Sequence, residues 1–581
     1  QFHVKDSTIA KSASDARALD FRDSGELSLD AVTFARNGGS IYGTSSTATA
    51  YLSRSILHQN APATLLDGTG TYVSRGYNLT EKTEPKLNAA TDIDRRGVFL
   101  APLSDYFYNG VPGMPPLAAD RVAFDDGSTS HVQRGAFRNG DVITVTTTAD
   151  ENNTPAGVTT SLREAIRDIP DGGTVVFDTS LNNNGTFDIM TGDIAPGKSI
   201  RIDATLLPGG ITSTSSTGNK FVFDGDYGVG IFGVDFFGFT SSNNGGAIDS
   251  RNGAKLALAH CDFANCTAGF GGAIYTLLSD LVTENCSFRN NDATVRGGAM
   301  FLRGKSLISF CAFDENVADL DKGGAICSYI EAEVTVYASS FETNTGNGLP
   351  DNVTMVAGGV AISAGYNVFS DTPAFVIASD LTGQSNILSS YANYGGWVNG
   401  FLGDTGSAAI NHAPAIAAGT VPPPFLDSRG YPRVVAVSAD TVALETGADT
   451  LDTDNDNIPD WWENFYGYSF ANNTDATAND DGDDANNLAE FLAGTDPLVA
   501  DNFSAVAAKI LAVEIVDIGG PQIRIIWIGQ AGSYYRFQKG LDLDISLMDT
   551  GSPVLATGSP QDSAFPVNSP TGKEFFRIRT E

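Results

Sequence analysis

Two stretches of the chain carry oxygen side chains at matching offsets. Asp452, Asp454, Asp456, Asp460 and Glu463 take the first, third, fifth, ninth and twelfth places of one segment. Twenty-seven residues on, Asn479, Asp481, Asp483, Asn487 and Glu490 repeat those places. A hard cation such as Ca²⁺ takes about six to eight oxygen ligands, and this alternation points every second side chain inward. Each closing Glu can bind through both oxygens, and the main-chain carbonyls of Ile458 and Ala485 can fill a seventh place. Asn457 and Asp484 stand at the turn usually given to Gly; both tolerate positive φ better than most residues, at some cost. Asn479 in place of a leading Asp predicts a weaker second loop. The competing reading is a solvated acidic linker, but carboxylates this dense repel one another, and a divalent ion is the simplest remedy.

Elsewhere, a carboxylate pair or an Arg beside calcium on one face of the fold could cleave polysaccharide. Asp249, Asp280, Glu284, Asp314, Asp319, Asp321, Arg296 and Arg303 form no recognisable catalytic pair and read as solvated charges on corners. His260 reads as structural or surface, and His3, His58, His131 and His412 form no sequence-visible metal set. No nucleophile elbow, phosphate loop or paired-histidine zinc helix is present.

The elements that must hold these residues follow from composition and repeats. At 581 residues the chain spans about three to four domains by a length prior of roughly 150 residues each. Hydrophobic residues at 41% suffice for a core, while 63 glycines favour turns and short strands over long helices. The net charge of −34 excludes nucleic acid as a default partner and argues against anionic lipid. No apolar run reaches the roughly 18 to 20 residues of a membrane span. This balance points to a secreted or surface-displayed, mostly β protein. Gln1 to Lys5 lacks the pattern of a signal peptide, so we expect either a removed leader or a start within a longer protein.

Gly245-Gly246-Ala247-Ile248 recurs from Gly271 and Gly323, and from Gly297 with Met300 in place of Ile, at intervals of 26 residues. A second ladder runs Cys261-Asp262-Phe263, Cys286-Ser287-Phe288 and Cys311-Ala312-Phe313, then Ser340-Phe341, with Asn291, Asn316 and Asn344 each three residues past a Phe. Short alternating strands at this period predict one coil of a right-handed parallel β-helix per repeat, each stacked about 4.8 Å above the last. Gly-Gly would form tight corners. The Phe and Cys columns would stack inside, and each Asn amide would sit at a bend and bond the next coil. The cysteines read as buried thiols, with one disulfide between ladder neighbours as a lesser alternative.

These repeats resemble those of chlamydial polymorphic outer membrane proteins and of bacterial "choice-of-anchor Q" surface proteins. Thr160-Ser161-Leu162-Arg163-Glu164-Ala165-Ile166 resembles the latter family's opening motif, and Asp427-Ser428-Arg429-Gly430-Tyr431-Pro432-Arg433 its closing segment, over roughly residues 140 to 445. Leu162, Ala165, Ile166 and Ile169 would form the apolar face of a short helix covering the first coil. The acidic loops resemble thrombospondin type 3 and dockerin-like calcium segments. Trp461, Trp462, Phe465, Tyr466, Leu488, Phe491 and Leu492 would supply their shared core.

The expected organisation is all-β. Residues 1–138 form the last coils of a first β-helix without its N-terminal cap, echoed by Phe34-Ala35-Arg36-Asn37-Gly38-Gly39 and by Gly76-Tyr77-Asn78. Residues 139–435 form a second, capped β-helix. Residues 436–503 hold a linker and the paired calcium loops, and 504–581 a small antiparallel β-sandwich. An uncovered N-terminal coil would be completed by upstream sequence or by another copy of the chain, head to tail. The function expected is a non-catalytic, extracellular or cell-surface adhesive or fibre subunit, with extracellular polysaccharide as a further partner. The alternative is a polysaccharide lyase or glycoside hydrolase on the same solenoid.

Overall fold

The computed structural model describes residues 2–10, 17–22, 26–35, 40–58, 66–75, 78–80, 86–87, 89, 142–154, 158–181, 185–207, 210–392, 397–403, 406–414, 427, 438–442 and 444. Beyond these it describes 454, 456–459, 462–463, 468, 472–480, 482, 485–493, 497 and strands between 509 and 580. Two compact units divide the chain, Gln1–Asp449 and Thr450–Glu581.

In the first unit, the 26-residue repeat becomes a parallel β-solenoid. Three long parallel sheets, of nine, eight and six strands, run along the stack, with a shorter fourth beside them. The Gly-Gly-Ala-Ile ladder is in register, Ile248 on Ile274, Met300, Ile326 and Val353. The corners admit nothing larger than Gly. Gly271 has φ +62°, and a Cβ on Gly298 would lie 2.0 Å from the Gly324 carbonyl oxygen of the next coil.

Inside, the Phe column is longer than the sequence ladder showed. Phe236, Phe263, Phe288, Phe313, Phe341 and Phe369 stack in order, with centroids 4.6 to 5.0 Å apart. That spacing is the strand separation of a sheet, about 4.8 Å, so the backbone ladder and the ring stack reinforce each other. The Asn column works as expected. The Oδ1 atoms of Asn291, Asn316 and Asn344 accept from the backbone amides of Cys266, Asn291 and Asn316, while their Nδ2 groups donate to the Phe263, Phe288 and Phe313 carbonyls. Each side chain thus satisfies backbone groups at a bend that sheet pairing cannot reach. All five cysteines are buried free thiols, so the disulfide alternative is not adopted. Burial pushes Cys266 and Cys327 up to about 12.

At the N-terminal end of this stack lies the helix Leu162–Asp168. Ser161 Oγ accepts from the Glu164 amide and the Glu164 carboxylate accepts from the Ser161 amide, a reciprocal capping box. Leu162, Ala165, Ile166 and Ile169 join Val145 and Val175 in the solenoid core, as their spacing predicts.

The described residues between 2 and 80 form parallel coils with their own core of Phe21, Leu27, Leu29, Phe34, Ile41, Leu52 and Leu57. Strands at four successive levels pair in parallel: Phe2–Ala10, Glu26–Ala35, Thr49–Ser53 and Thr71–Ser74. The likeness of Gly76-Tyr77-Asn78 to Gly365-Tyr366-Asn367 extends to bonding. Asn78 accepts from Ser55 N at 3.1 Å and donates to Leu52 O and Ser74 Oγ. Asn367 accepts from Ser339 N at 3.1 Å and donates to Val336 O and Ser363 Oγ.

In the second unit, Lys509–Asp517, Pro521–Ile528 and Gln561–Pro566 make one antiparallel sheet. Tyr534–Gly540, Met548–Asp549, Val554–Leu555 and Phe575–Thr580 make another. Among the described residues, no helix is long and apolar enough to cross a membrane.

Candidate metal centre

The acidic segment folds around a small apolar nucleus. Ile458, Trp462, Ala476 and Leu488 are buried together, with Tyr468 and Phe491 against them. Trp462 stacks on Tyr468 at 5.6 Å and meets Phe491 edge-on at 6.0 Å. Of the expected core, Trp462, Leu488 and Phe491 are in place. Trp461, Phe465 and Tyr466 lie outside the described residues, as does the Leu492 side chain.

This nucleus holds the first loop in a tight turn. Asn457 takes φ 73°, the conformation expected at that place, and the Ile458 amide donates to Asp456 Oδ1 at 2.8 Å. The turn and the short helical step at Trp462 and Glu463 bring three expected ligands to one point. Asp454, Asp456 and Glu463 converge there with a fourth carboxylate, Asp475, one ligand atom of each lying within 4.8 Å of the others. Ile458 is buried beside them, and Asp452 and Asp460 lie outside the described residues.

Asp475 belongs to neither twelve-residue segment. It sits in the single 3-10 turn Asp475–Thr477 between them and is 7% exposed. Loop offsets could not reveal it, because it reaches the cluster through the packing of Ala476 against the nucleus. The available signal was weaker: an acidic residue inside an Asn- and Thr-rich turn, Asn472-Asn473-Thr474, between two loops.

The second loop is arranged differently. Asn479 is exposed, and its Oδ1 accepts from the amide of Gly482, which takes φ +80°. Asn487 and Glu490 are buried on the short helix Asn487–Ala493, and Ala485 is buried just before it. Asp481, Asp483 and Asp484 lie outside the described residues. Burial, reinforced by the charges of Asp480 and Glu490, pushes the Tyr468 hydroxyl well above its ordinary range.

The donor set fits a hard divalent ion. Ca–O distances near 2.4 Å place oxygens on opposite sides of one ion about 4.8 Å apart, which matches the spread of these four ligand atoms. Both Asp454 carboxylate oxygens are shielded from solvent with no hydrogen-bond partner among the described residues. An ion here would be held by Asp454, Asp456, Glu463 and Asp475, and would neutralise charge that otherwise opposes folding.

Family models, curated proteins and solved structures were all compared with this chain, and none matches it. The functional reading therefore rests on the molecule's own geometry.

Proposed function

We propose that this chain is a non-catalytic, extracellular structural or adhesive β-solenoid protein whose acidic segment is ordered by Ca²⁺. The observation that carries the reading is the uninterrupted Phe and Asn column. It fills the interior with stacked rings and backbone-satisfying amides, which suits a rigid spacer. The coil carboxylates support it as well. Asp249 pairs with Arg251 and with Lys220, Asp321 with Arg296, and Glu315 with Arg289. Of the carboxylate pairs in register on adjacent coils, Asp235 and Asp262 are buried under another segment, and Glu342 opposite Asp314 is taken up by the Ile387 and Leu388 amides.

In this reading the solenoid winds right-handedly and the strands after residue 504 close into a sandwich. Calcium occupies the Asp454 cluster and a weaker second site near Asn487 and Glu490. Copies associate head to tail, and extracellular polysaccharide is the partner along the flanks. Electron microscopy of the purified chain in roughly millimolar calcium tests the assembly, since extracellular calcium modules bind in about that range. Filaments with an axial repeat of one subunit are expected. Discrete rods would overturn head-to-tail assembly. Cleavage of a polysaccharide by the same preparation would favour the lyase or hydrolase alternative.

A further inference from the structure

One outward-facing column of the eight-stranded sheet is covered rather than solvated. In register it reads Asp235, Asp262, Ser287, Ala312, Ser340 and Val368. Two arms of chain, 387–392 and 397–403, lie across it, tied to each other by antiparallel bridges Leu388–Gly403 and Ala392–Gly400. The small residues of the column make room: a Cβ on Gly400 would come within 3.0 Å of Ser287 Oγ.

The two ends of this strap are held by different chemistry. At one end, Ile387, Leu388 and Phe401 pack on Ala312 and Val368, and Glu342 accepts from the Ile387 and Leu388 amides at 3.1 and 2.8 Å. At the other, the Tyr391 hydroxyl donates to Asp262 Oδ2, and Asn399 Nδ2 donates to Asp235 Oδ2 at 3.3 Å. Asp235 and Asp262 are 9% and 1% exposed, and the Oδ1 atom of each is buried with no hydrogen-bond partner among the described residues. Two carboxylates on adjacent rungs of a sheet, about 4.8 Å apart at the backbone, cannot both ionise in such a place.

We propose that Asp235 and Asp262 are a proton-holding carboxyl pair that latches the strap formed by 387–392 and 397–403 to the solenoid, and that loss of this proton releases the strap. His260, two residues before Asp262, is buried and meets the strap's Trp397 edge-on at 5.0 Å. Of the groups facing the pair, Cys261 comes from the same coil, and Arg289 from the next, its guanidinium 5.0 Å from the Tyr391 ring centroid. Tyr391 and Asn399 come from the strap. Arg289 is the single cation among them and is shared with Glu315 at 2.9 Å. Burial pushes Asp235 up to about 8, and burial together with the Asp235 charge pushes Asp262 up as well.

The sign follows from linkage. Carboxyl groups raised in the docked state favour docking fully below their ordinary pKa of about 4. The advantage is lost as pH rises toward about 8. Holding one extra proton makes strap opening about tenfold easier for each pH unit across that window.

Hydrogen exchange read by mass spectrometry on the full chain, between pH of about 5 and 9 and corrected for intrinsic rates, tests this. Strap peptides should lose protection with rising pH while the Phe263 and Phe288 strands hold theirs. The double variant Asp235→Asn with Asp262→Asn should keep the strap protected and remove the pH dependence. Tyr391→Phe should raise strap exchange several-fold at every pH and leave the slope intact. It serves if the double variant fails to fold. Wild-type protection that does not change with pH would overturn the proposal, as would an unchanged slope in the double variant or an unchanged strap in Tyr391→Phe. Restoration of protection at high pH by added Ca²⁺ would also overturn it, by making the pair a cation site.

Discussion

Replacing Asp475 with Asn separates a metal centre built by tertiary packing from one confined to a twelve-residue loop. Four carboxylates within 4.8 Å make six like-charge pairs. At that distance and an effective dielectric of about 20, each pair costs ~3.5 kcal/mol when ionised. Six such pairs exceed the ~5–15 kcal/mol that stabilises a whole domain. Without a cation the cluster must therefore take up protons or open. Asp475→Asn deletes three of the six pairs, so in a chelator the acidic segment should become more stable, by a few kcal/mol after partial protonation is allowed for. With calcium the sign reverses. A ligand at a hundredfold its Kd contributes about 2.7 kcal/mol, roughly 10 °C for a unit the size of Thr450–Glu581. The variant, short of one ligand, should lose at least half of that shift. Calorimetry of the full chain with and without calcium measures both effects. The fluorescence of Trp462, buried in the nucleus next to Glu463, reports the segment itself. An Asp475→Asn protein with the wild-type melting temperature in chelator and the wild-type calcium shift would refute the reasoning. Asp475 would then be no part of the centre.

The solenoid supports three further expectations. Phe288→Ala opens the middle of the ring column, where Phe288 is 0% exposed and stacked on both sides, and should cost about 3–5 kcal/mol in chemical denaturation. Asn316→Leu strands the Asn291 amide and the Phe288 carbonyl, at about 1–3 kcal/mol each, read by the same assay. The five thiols should resist a thiol reagent at neutral pH in the native protein and react in denaturant, because all are buried out of its reach, and burial further disfavours the thiolate at Cys266, Cys286 and Cys327.

How much of this was legible before the fold was known depends on whether a residue's partner lies at a fixed sequence interval. Gly271, Phe288 and Asn316 meet their counterparts one coil away, so a period near 25 residues displayed both their neighbours and their roles. The capping helix was legible for a similar reason, since its apolar face and its Ser161–Glu164 box are local patterns. Phe236 and Phe369 were harder to see, because their steps depart from 25 residues and, unlike Phe341, neither is followed by an Asn three residues on.

The functional groups fall on the other side of that line. Loop offsets named Asp454, Asp456 and Glu463, but Asp475 joins them only because Ala476 packs beside Trp462 and Leu488. Asp262 stood in plain view within a repeat, yet its burial against Asp235 exists only because residues 387–392 and 397–403 lie across the column. A repeating backbone determines which residues stack, since hydrogen bonding imposes the same spacing on every coil. Which acidic groups lose their water is decided by segments that return from far along the chain, and no interval in the sequence encodes that return.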